Sequence, residues 1–277
     1  MNRTMRIAFY GKGGIGKSTI ASNVSALMAM AGRHVLHIGC DPKADSTRLL
    51  TEARIPTVLE QLESKEKLSR ADMVFPGFAS VSCVEAGGPE AGQGCAGLGI
   101  TTAINELTDA GVFDEDWDAI IYDVLGDVVC GGFSVPMRQH YADRVYVVTS
   151  ATYMSLYAAN NILKGVRRYS MGGRSLCGGL ILNHAHGDAD VQLCRAFAGA
   201  TKTNVLAILE EDAQLQLSDF RRGLLVRDYP DSSNAQHLRD LIGQMEALPE
   251  QPLPEPMSQS GMEDFGQRMA EVLYGKR

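Results

Sequence analysis

The residues best suited to chemistry lie near the N-terminus, where Gly11–Ser18 has the composition and spacing of a phosphate-binding loop. The segment matches G-x-x-x-x-G-K-[ST] and lies between the apolar run Arg6–Tyr10 and the helical pattern Lys17–Met30. Glycine backbone lets successive N–H groups face an anion, and the helix N-terminus adds partial positive charge. We expect Lys17 to reach the β- and γ-phosphates of ATP and Ser18 to bind Mg²⁺. The residues predicted to bind this nucleotide are Gly11, Lys12, Gly13, Gly14, Ile15, Gly16, Lys17, Ser18 and Thr19.

Lys12 adds a second lysine directly after the first glycine of the loop. This arrangement resembles the deviant phosphate-binding loop of dimeric ATPases, a group that includes cell-division and plasmid-partition ATPases. The resemblance implies that Lys12 reaches the nucleotide of a partner subunit and supplies charge there, as an arginine finger does. The alternative is a solvated surface lysine.

Asp123 closes the apolar run Ala119–Tyr122, and Gly126 and Asp127 follow it. In a protein with a phosphate-binding loop, an aspartate at the end of a buried strand is placed to hold Mg²⁺, usually through water. Gly126 can rotate its peptide towards a γ-phosphate, which would make Asp127 movable. We therefore predict that this segment responds to the nucleotide.

A second acidic segment, with Asp41 and Asp45, follows the apolar run Val35–Ile38. Ligand sites of α/β proteins form at the carboxyl ends of parallel strands, so both carboxylates are expected near the same edge of the sheet. Asp45 has an alternative role as the N-cap of a helix that begins near Ser46.

Cys95 and Cys130 both lie on glycine-rich backbone, and Cys130 comes three residues after Asp127. A [4Fe–4S] cluster needs four thiolates, which two chains related by a two-fold axis would supply. Spacing alone leaves open that both are buried thiols acting as small hydrophobes. Simple burial is the favoured interpretation for the remaining four cysteines, which are Cys40, Cys83, Cys177 and Cys194.

Short apolar runs alternate with longer amphipathic ones, which predicts an α/β fold of the P-loop NTPase type, with a mainly parallel sheet flanked by helices. The predicted strands are Arg6–Tyr10, Val35–Ile38, Val81–Glu85, Ala119–Val124, Arg144–Thr149, Leu180–Asn183 and Val205–Ile208. The predicted helices are Lys17–Met30, Gly99–Leu107, Tyr153–Arg168, Val191–Ala198, Asp212–Phe220, Ala235–Met245 and Gly261–Leu273.

The elements divide into a P-loop ATPase and iron–sulfur domain over residues 1–250 and a C-terminal tail with a short helix over 251–277. The formal net charge of −7 argues against binding to nucleic acid or to an anionic membrane. The apolar run after the N-terminus is too short for a signal peptide, and no membrane-spanning stretch is present, so we expect a cytoplasmic protein.

Taken together, these segments resemble the nitrogenase iron protein family over about Met5 to Met245. The segments that carry the resemblance are Gly11–Ser18, Asp41–Thr47, Val84–Glu90, Gly94–Gly97, Tyr122–Phe133, Leu156–Asn161 and Tyr229–Ser232. The family includes the iron protein of nitrogenase, the ATPase subunits of two chlorophyll-precursor reductases, and reductase components for nickel-tetrapyrrole synthesis and methylthio-alkane reduction.

The resemblance implies a homodimer bridged by one [4Fe–4S] cluster with Cys95 and Cys130 as ligands. Such a dimer docks with Mg-ATP on a separate catalytic component, passes one electron at a time, and is re-reduced by ferredoxin or flavodoxin. The resemblance also implies that Asp41 and Asp127 position or activate the attacking water, and that Asn183 contacts adenine.

Leu98 departs from the family pattern, because nitrogenase iron proteins typically have an arginine there that contacts the partner and is a target of regulatory ADP-ribosylation. The tail after Met245 also lacks a clear match. Both differences favour methylthio-alkane or tetrapyrrole reduction over dinitrogen reduction. The alternative from another functional class is a partition or positioning ATPase without a cluster.

Overall fold

Apolar runs that are covered on both faces form the centre of the molecule, as the sequence pattern requires of parallel strands. A computed structural model describes residues 3–88, 97–126, 134–138, 141–170, 174–247 and 251–275. Its strands are β1 (Met5–Gly11), β2 (Val35–Gly39), β3 (Phe75–Pro76), β4 (Ser82–Glu85), β5 (Ala119–Asp123), β6 (Arg144–Thr149), β7 (Cys177–Ala185) and β8 (Val205–Glu210).

The strands form one sheet in the order β3-β4-β2-β5-β1-β6-β7-β8. Every pairing is parallel except the short contact between β3 and β4, which is antiparallel. The predicted α/β fold with a mainly parallel sheet is therefore confirmed, and all seven predicted strands are present. The short edge strand β3 was not predicted, because two residues give no period and one of them is Pro76.

Helices cover both faces of the sheet. They are α1 (Lys17–Met30), α2 (Val58–Ser64), α3 (Arg70–Met73), α4 (Gly97–Asp109), α5 (Val135–Arg138), α6 (Tyr153–Tyr169), α7 (Asp188–Ala200), α8 (Ala213–Phe220), α9 (Leu225–Asp228), α10 (Ser233–Ala247) and α11 (Gln259–Tyr274). Helices α1, α9 and α10 pack on one face, and α4, α6, α7 and α11 contribute to the core on the other. In the described part of the chain, none of the helices combines the length and the hydropathy needed to cross a bilayer.

The short helices α2, α3, α5 and α9 were not predicted from the sequence. These helices have four to seven residues, so they are too short to show a helical period of apolar residues. Helix α2 instead begins at a capping box, in which Thr57 and Glu60 bond each other's backbone N–H groups. That local pattern was present in the sequence and could have predicted the helix.

The register of the central strands brings the carboxyl ends of β2, β4 and β5 to the same level. Gly39 at the end of β2 lies opposite Asp123 of β5 on one side and Glu85 of β4 on the other. The phosphate-binding loop leaves the end of β1, which is the other neighbour of β5. The candidate site is therefore built at this edge of the sheet.

The C-terminal segment packs along the outside of α6 and α7. The buried amide of Asn160 donates to the carbonyl of Met257 at 2.9 Å and accepts from the Met257 N–H at 2.8 Å. Helix α11 then buries Met262 and places Phe265 edge-on to Phe197. The segment adds to the core on the α6 face.

We predict that Asn160→Ala loosens this segment. Two hydrogen bonds to the Met257 backbone are lost in a buried setting, which should lower the free energy of unfolding by about 2 kcal/mol. The matched control is Asn161→Ala, because the Asn161 amide bonds an exposed lysine, Lys164, on the same helix. Urea unfolding and proteolytic release of residues 251–275 would measure the effect, and equal behaviour of the two variants would contradict the prediction.

Candidate nucleotide site

The phosphate-binding loop connects β1 to α1 and depends on backbone that only glycine adopts readily. Gly14 and Gly16 have φ angles of +74° and +84°. A side chain at Gly11 would place its Cβ 2.5 Å from the carbonyl oxygen of Val148, and one at Gly16 would collide with the Asn183 amide. The loop is therefore fixed between β6 and β7, with α1 beginning at Lys17.

Lys17 and Asp123 form a buried ion pair at the centre of the site. The Nζ atom of Lys17 lies 3.1 Å from Oδ1 of Asp123, and both side chains are almost completely buried. Burial alone would lower the pKa of Lys17, but the charge of Asp123 overrides it and raises the pKa. The ammonium is therefore charged and stands at the start of α1, where a phosphate would bind.

Asp123 is held from several sides. Ser46 donates to its Oδ2 atom at 2.6 Å, and Ser18 supplies a further side-chain hydrogen bond. Burial would raise the pKa of Asp123, but Lys17 and these hydroxyl groups lower it below its usual range. Asp123 is therefore an ionised carboxylate of fixed orientation.

The segment after β2 brings two more carboxylates to the site. Asp41 accepts from the N–H of Lys43 at 2.9 Å, and this closes a tight turn that leads to Asp45. Burial, followed by the charges of Asp41 and Asp123, raises the pKa of Asp45. Asp45 occupies the N-cap position of a 3₁₀ turn that begins at Ser46, but its side chain makes no capping hydrogen bond there.

Glu85, at the end of β4, is a further carboxyl that the sequence analysis did not assign to the site. Its Oε1 atom accepts from the N–H of Thr47 at 2.6 Å, while Oε2 has no hydrogen-bond partner among the described residues. Burial raises the pKa of Glu85 to about 8, against the effect of the bonds from Thr47. Its position at the end of a nearly apolar strand was the sequence pattern that could have marked it.

A cavity of about 270 Å³ opens beside the phosphate-binding loop. Asn183 lies at its inner wall, where its amide donates to the carbonyl of Ile15 at 2.8 Å. Its buried Oδ1 atom has no hydrogen-bond partner within the described ranges, so it can accept from a ligand. Other lining residues include Gly14, Gly16, Thr19, Ile20, Asn23, Leu209, Glu211, Leu215 and Leu238.

The described residues fit Mg-ATP. The loop and Lys17 suit the phosphates, and the cavity with the free Asn183 oxygen suits a base with an amino group. Lys17 is surrounded by more carboxylates than it can neutralise, and a divalent cation would offset that charge. In the described ranges, three His, Cys, Asp or Glu side chains do not converge on one point, so Mg²⁺ would need hydroxyl, water and phosphate ligands as well.

Four of the six cysteines are buried, as predicted. Burial raises the pKa of Cys177 to about 11 and that of both Cys83 and Cys194 to about 12, and it raises the pKa of Cys40 well above its usual value. Such thiols are not poised to bind metal. The predicted ligands Cys95 and Cys130, and the predicted switch residue Asp127, lie outside the described residues.

The described ends of the two cysteine-bearing segments contact the nucleotide site through glycines. A Cβ atom on Gly126 would lie 2.5 Å from the carbonyl oxygen of Gly11, in the phosphate-binding loop. A Cβ atom on Gly88 would lie 2.5 Å from the Cβ of Pro42, next to Asp41. Residues 89–96 follow the second contact in the chain, and residues 127–133 follow the first.

Lys12 is exposed at the mouth of the site, and Leu98 lies in the first turn of α4 with 59% of its surface exposed. The two side chains therefore face solvent in the single chain.

Solved structures with the same architecture are P-loop ATPases. The septum site-determining protein MinD of Pyrococcus horikoshii, in complex with Mg-ADP, has a TM-score of 0.68 at 19% identity and covers 88% of this chain and 97% of its own. The cell-division ATPase MinD of Pyrococcus furiosus has a TM-score of 0.69 at 19% identity, with 88% and 100% coverage. At this identity the likeness shows the fold alone, and it confirms the predicted P-loop NTPase type.

Curated relatives are far more similar in sequence. Nitrogenase iron protein 2 of Methanothermobacter thermautotrophicus is 46% identical over 260 residues, which cover 94% of this chain and 96% of the relative. Nitrogenase iron protein 2 of Methanobacterium ivanovii is 44% identical, with 94% and 97% coverage. The protein of that name from Paenibacillus durus is 42% identical over 276 residues, with 98% and 94% coverage.

A family model described as "4Fe-4S iron sulfur cluster binding proteins, NifH/frxC family" matches residues 5–272. Iron proteins of this family are homodimers that bind a 4Fe–4S cluster and Mg-ATP and work with a catalytic component. The match covers the phosphate-binding loop, the switch carboxylates and both candidate cluster ligands. It also extends through most of the tail after Met245, so the expectation that the tail lacks a match was wrong. The chain therefore belongs to the NifH/frxC family, and it is an ATP-hydrolysing iron–sulfur component of the nitrogenase-like type.

Proposed function

We propose that two copies of this chain hold one [4Fe–4S] cluster between Cys95 and Cys130 of each copy. The dimer delivers single low-potential electrons to a separate catalytic component and is re-reduced by ferredoxin or flavodoxin. When bound, the cluster supplies the one-electron redox chemistry. The chain's own residues bind the nucleotide and link its state to the two cysteine-bearing segments.

The observation that carries this proposal is the pair of glycine contacts at the base of those segments. Gly126 lies directly on Gly11 of the phosphate-binding loop, and Gly88 lies on Pro42 beside Asp41. Backbone packed this closely cannot move on one side without moving on the other. A rearrangement around the phosphates is thereby transmitted to both proposed ligands of the cluster.

Within the nucleotide site, each group has a distinct role in the proposal. Lys17 holds the transferred phosphate, and Ser18 and Asp123 hold Mg²⁺. Asp41 and Asp127 position or activate the attacking water. Lys12, exposed in the single chain, reaches the partner's nucleotide, so hydrolysis requires the closed dimer.

We further propose that the catalytic component reduces a methylthio-alkane or a tetrapyrrole. Leu98 supports this choice, because it presents an exposed apolar side chain directly after the Cys95 segment, where the family's docking arginine is typical in nitrogenase itself. An interface built for that arginine would leave its polar partners unpaired against leucine. The second candidate is dinitrogen reduction, which the names of the curated relatives favour.

Cys95→Ser and Cys130→Ser should each abolish cluster binding. Anaerobically purified wild type should be brown and contain about four irons per dimer, whereas each variant should be colourless. The control is Cys194→Ala, which removes a buried thiol and should keep its iron. Iron content and visible absorbance are the measurements, and retention of iron in both serine variants would contradict the proposed ligands.

Gly126→Ala should break the link between nucleotide and cluster. The added methyl group meets the Gly11 backbone of a central strand, which cannot yield, so the two segments must separate. We expect Mg-ATP to accelerate removal of iron by a chelator in wild type but not in the variant. Gly243→Ala is the matched control, because a Cβ atom there meets nothing within 4 Å. An undiminished Mg-ATP effect in Gly126→Ala would count against the coupling.

The substrate proposal can be tested by electron delivery. Reduced protein with Mg-ATP should support product formation with the catalytic component of a methylthio-alkane or tetrapyrrole reductase, and Leu98→Arg should weaken this activity. Wild type that drives only a dinitrogen-reducing component would establish the second candidate instead.

A further inference from the structure

A buried histidine lies next to the nucleotide site and belongs to none of its predicted groups. His37, in the middle of β2, is fully buried, and both of its ring nitrogens are hydrogen-bonded. Its Nε2 atom lies 2.9 Å from the Ser46 hydroxyl, and its Nδ1 atom lies 2.8 Å from the Ser25 hydroxyl on α1. Burying a histidine in a core strand costs free energy unless its ring nitrogens are hydrogen-bonded, and here both of them are.

The hydrogen bonds form a chain with a fixed direction. Asp123 is ionised and can only accept, so Ser46 gives its single hydroxyl proton to Asp123 at 2.6 Å. Ser46 must then accept from His37, which requires the tautomer with its proton on Nε2. The Nδ1 atom of that tautomer accepts from Ser25, whose single hydroxyl proton is shared with the carbonyl oxygen of Ala21 at 2.9 Å. We call the chain Ser25–His37–Ser46–Asp123 the histidine relay.

The surroundings keep the histidine in this neutral form. Burial lowers the pKa of His37 to about 4, although the charge of Asp123 opposes the shift. All four members of the relay are essentially inaccessible to water, so water does not compete for these hydrogen bonds. The orientation of the Ser46 hydroxyl is therefore set by His37.

Helix α1 anchors the relay and the phosphate-binding loop together. Ser22 donates to the carbonyl of Ser46 at 2.9 Å, one turn before Ser25 contacts His37. The same helix begins with Lys17, which pairs with the other oxygen of Asp123. Both oxygens of the carboxylate are thus oriented from one rigid element, directly through Lys17 and indirectly through the relay.

We propose that His37 is a positioning residue of the nucleotide site, which holds Asp123 in the orientation that Mg²⁺ binding requires. The inference rests on the proposed role of Asp123 as the carboxylate that holds Mg²⁺. It assigns to His37 no contact with the nucleotide. His37 is expected to affect only the Mg²⁺-dependent part of ATP binding, because ATP itself is held by the phosphate-binding loop and the cavity.

His37→Leu removes both ring hydrogen bonds at similar volume, whereas His37→Gln keeps an N–H donor for Ser46. Outer-shell partners of metal ligands are worth about 10- to 100-fold in metal affinity. We expect His37→Leu to raise the Mg²⁺ concentration needed for tight ATP binding by roughly tenfold, with ATP binding in EDTA unchanged. His37→Gln should recover most of the wild-type behaviour, and Ser25→Ala should shift the Mg²⁺ requirement in the same direction by less.

The measurement is equilibrium binding of ATP to the anaerobically purified dimer, titrated with Mg²⁺ and repeated in EDTA. Ile38→Val, a buried change at the neighbouring position of β2, controls for altered packing. An unchanged Mg²⁺ requirement in His37→Leu, or equal weakening with and without Mg²⁺, would overturn the proposal. If His37→Leu does not fold, Ser25→Ala and His37→Gln still test it. Wild type without Mg²⁺-dependent ATP binding would instead refute the proposed function.

Discussion

The buried ion pair between Lys17 and Asp123 is the constraint on which the rest of the site depends. Both charges have left water almost completely, and that desolvation is offset only while the two atoms stay 3.1 Å apart and their remaining bonds are made. Parallel pairing of β1 with β5 supplies the spacing, since it brings the ends of both strands to one level. The hydroxyls of Ser18 and Ser46 then satisfy the carboxylate further. A mainly parallel sheet with a helix starting at Lys17 is what makes this arrangement possible.

Beyond this ion pair, the site holds more carboxyl groups than Lys17 can neutralise. Asp41, Asp45 and Glu85 all lie close enough to influence the titration of their neighbours, and burial raises the pKa of Glu85 to about 8. A divalent cation and the phosphates it accompanies would change the net charge of the site more than any movement of its side chains would. Because the N–H of Thr47 donates to Glu85, a change in the charge of the site would act on the segment after β2 and on the end of β4 together. The Cys95 segment follows the end of β4 in the chain.

Local patterns in the sequence predicted much of this arrangement, and non-local pairing accounts for what they missed. The phosphate-binding loop, α1 and β5 were evident because each is encoded in a few consecutive residues. His37 and Ser46 gave no comparable pattern, since their roles appear only when β2 and β5 lie side by side. Glu85 was marked only by its place at the end of a predicted strand, and its contact with Thr47 depends on the pairing of β4 with β2.

The position of the two cysteine-bearing segments explains how an electron carrier can share its architecture with ATPases that resemble it only at 19% identity. Both segments leave the carboxyl edge of the sheet, one after β4 and one after β5, so neither interrupts a strand or a core helix. Each is joined to the nucleotide site by a glycine with no room for a side chain, at Gly88 and Gly126. A cluster held by such segments needs no new core. The proposed function needs in addition that the backbone at those two glycines follow the phosphates, and the tight packing against Pro42 and Gly11 supports such a coupling.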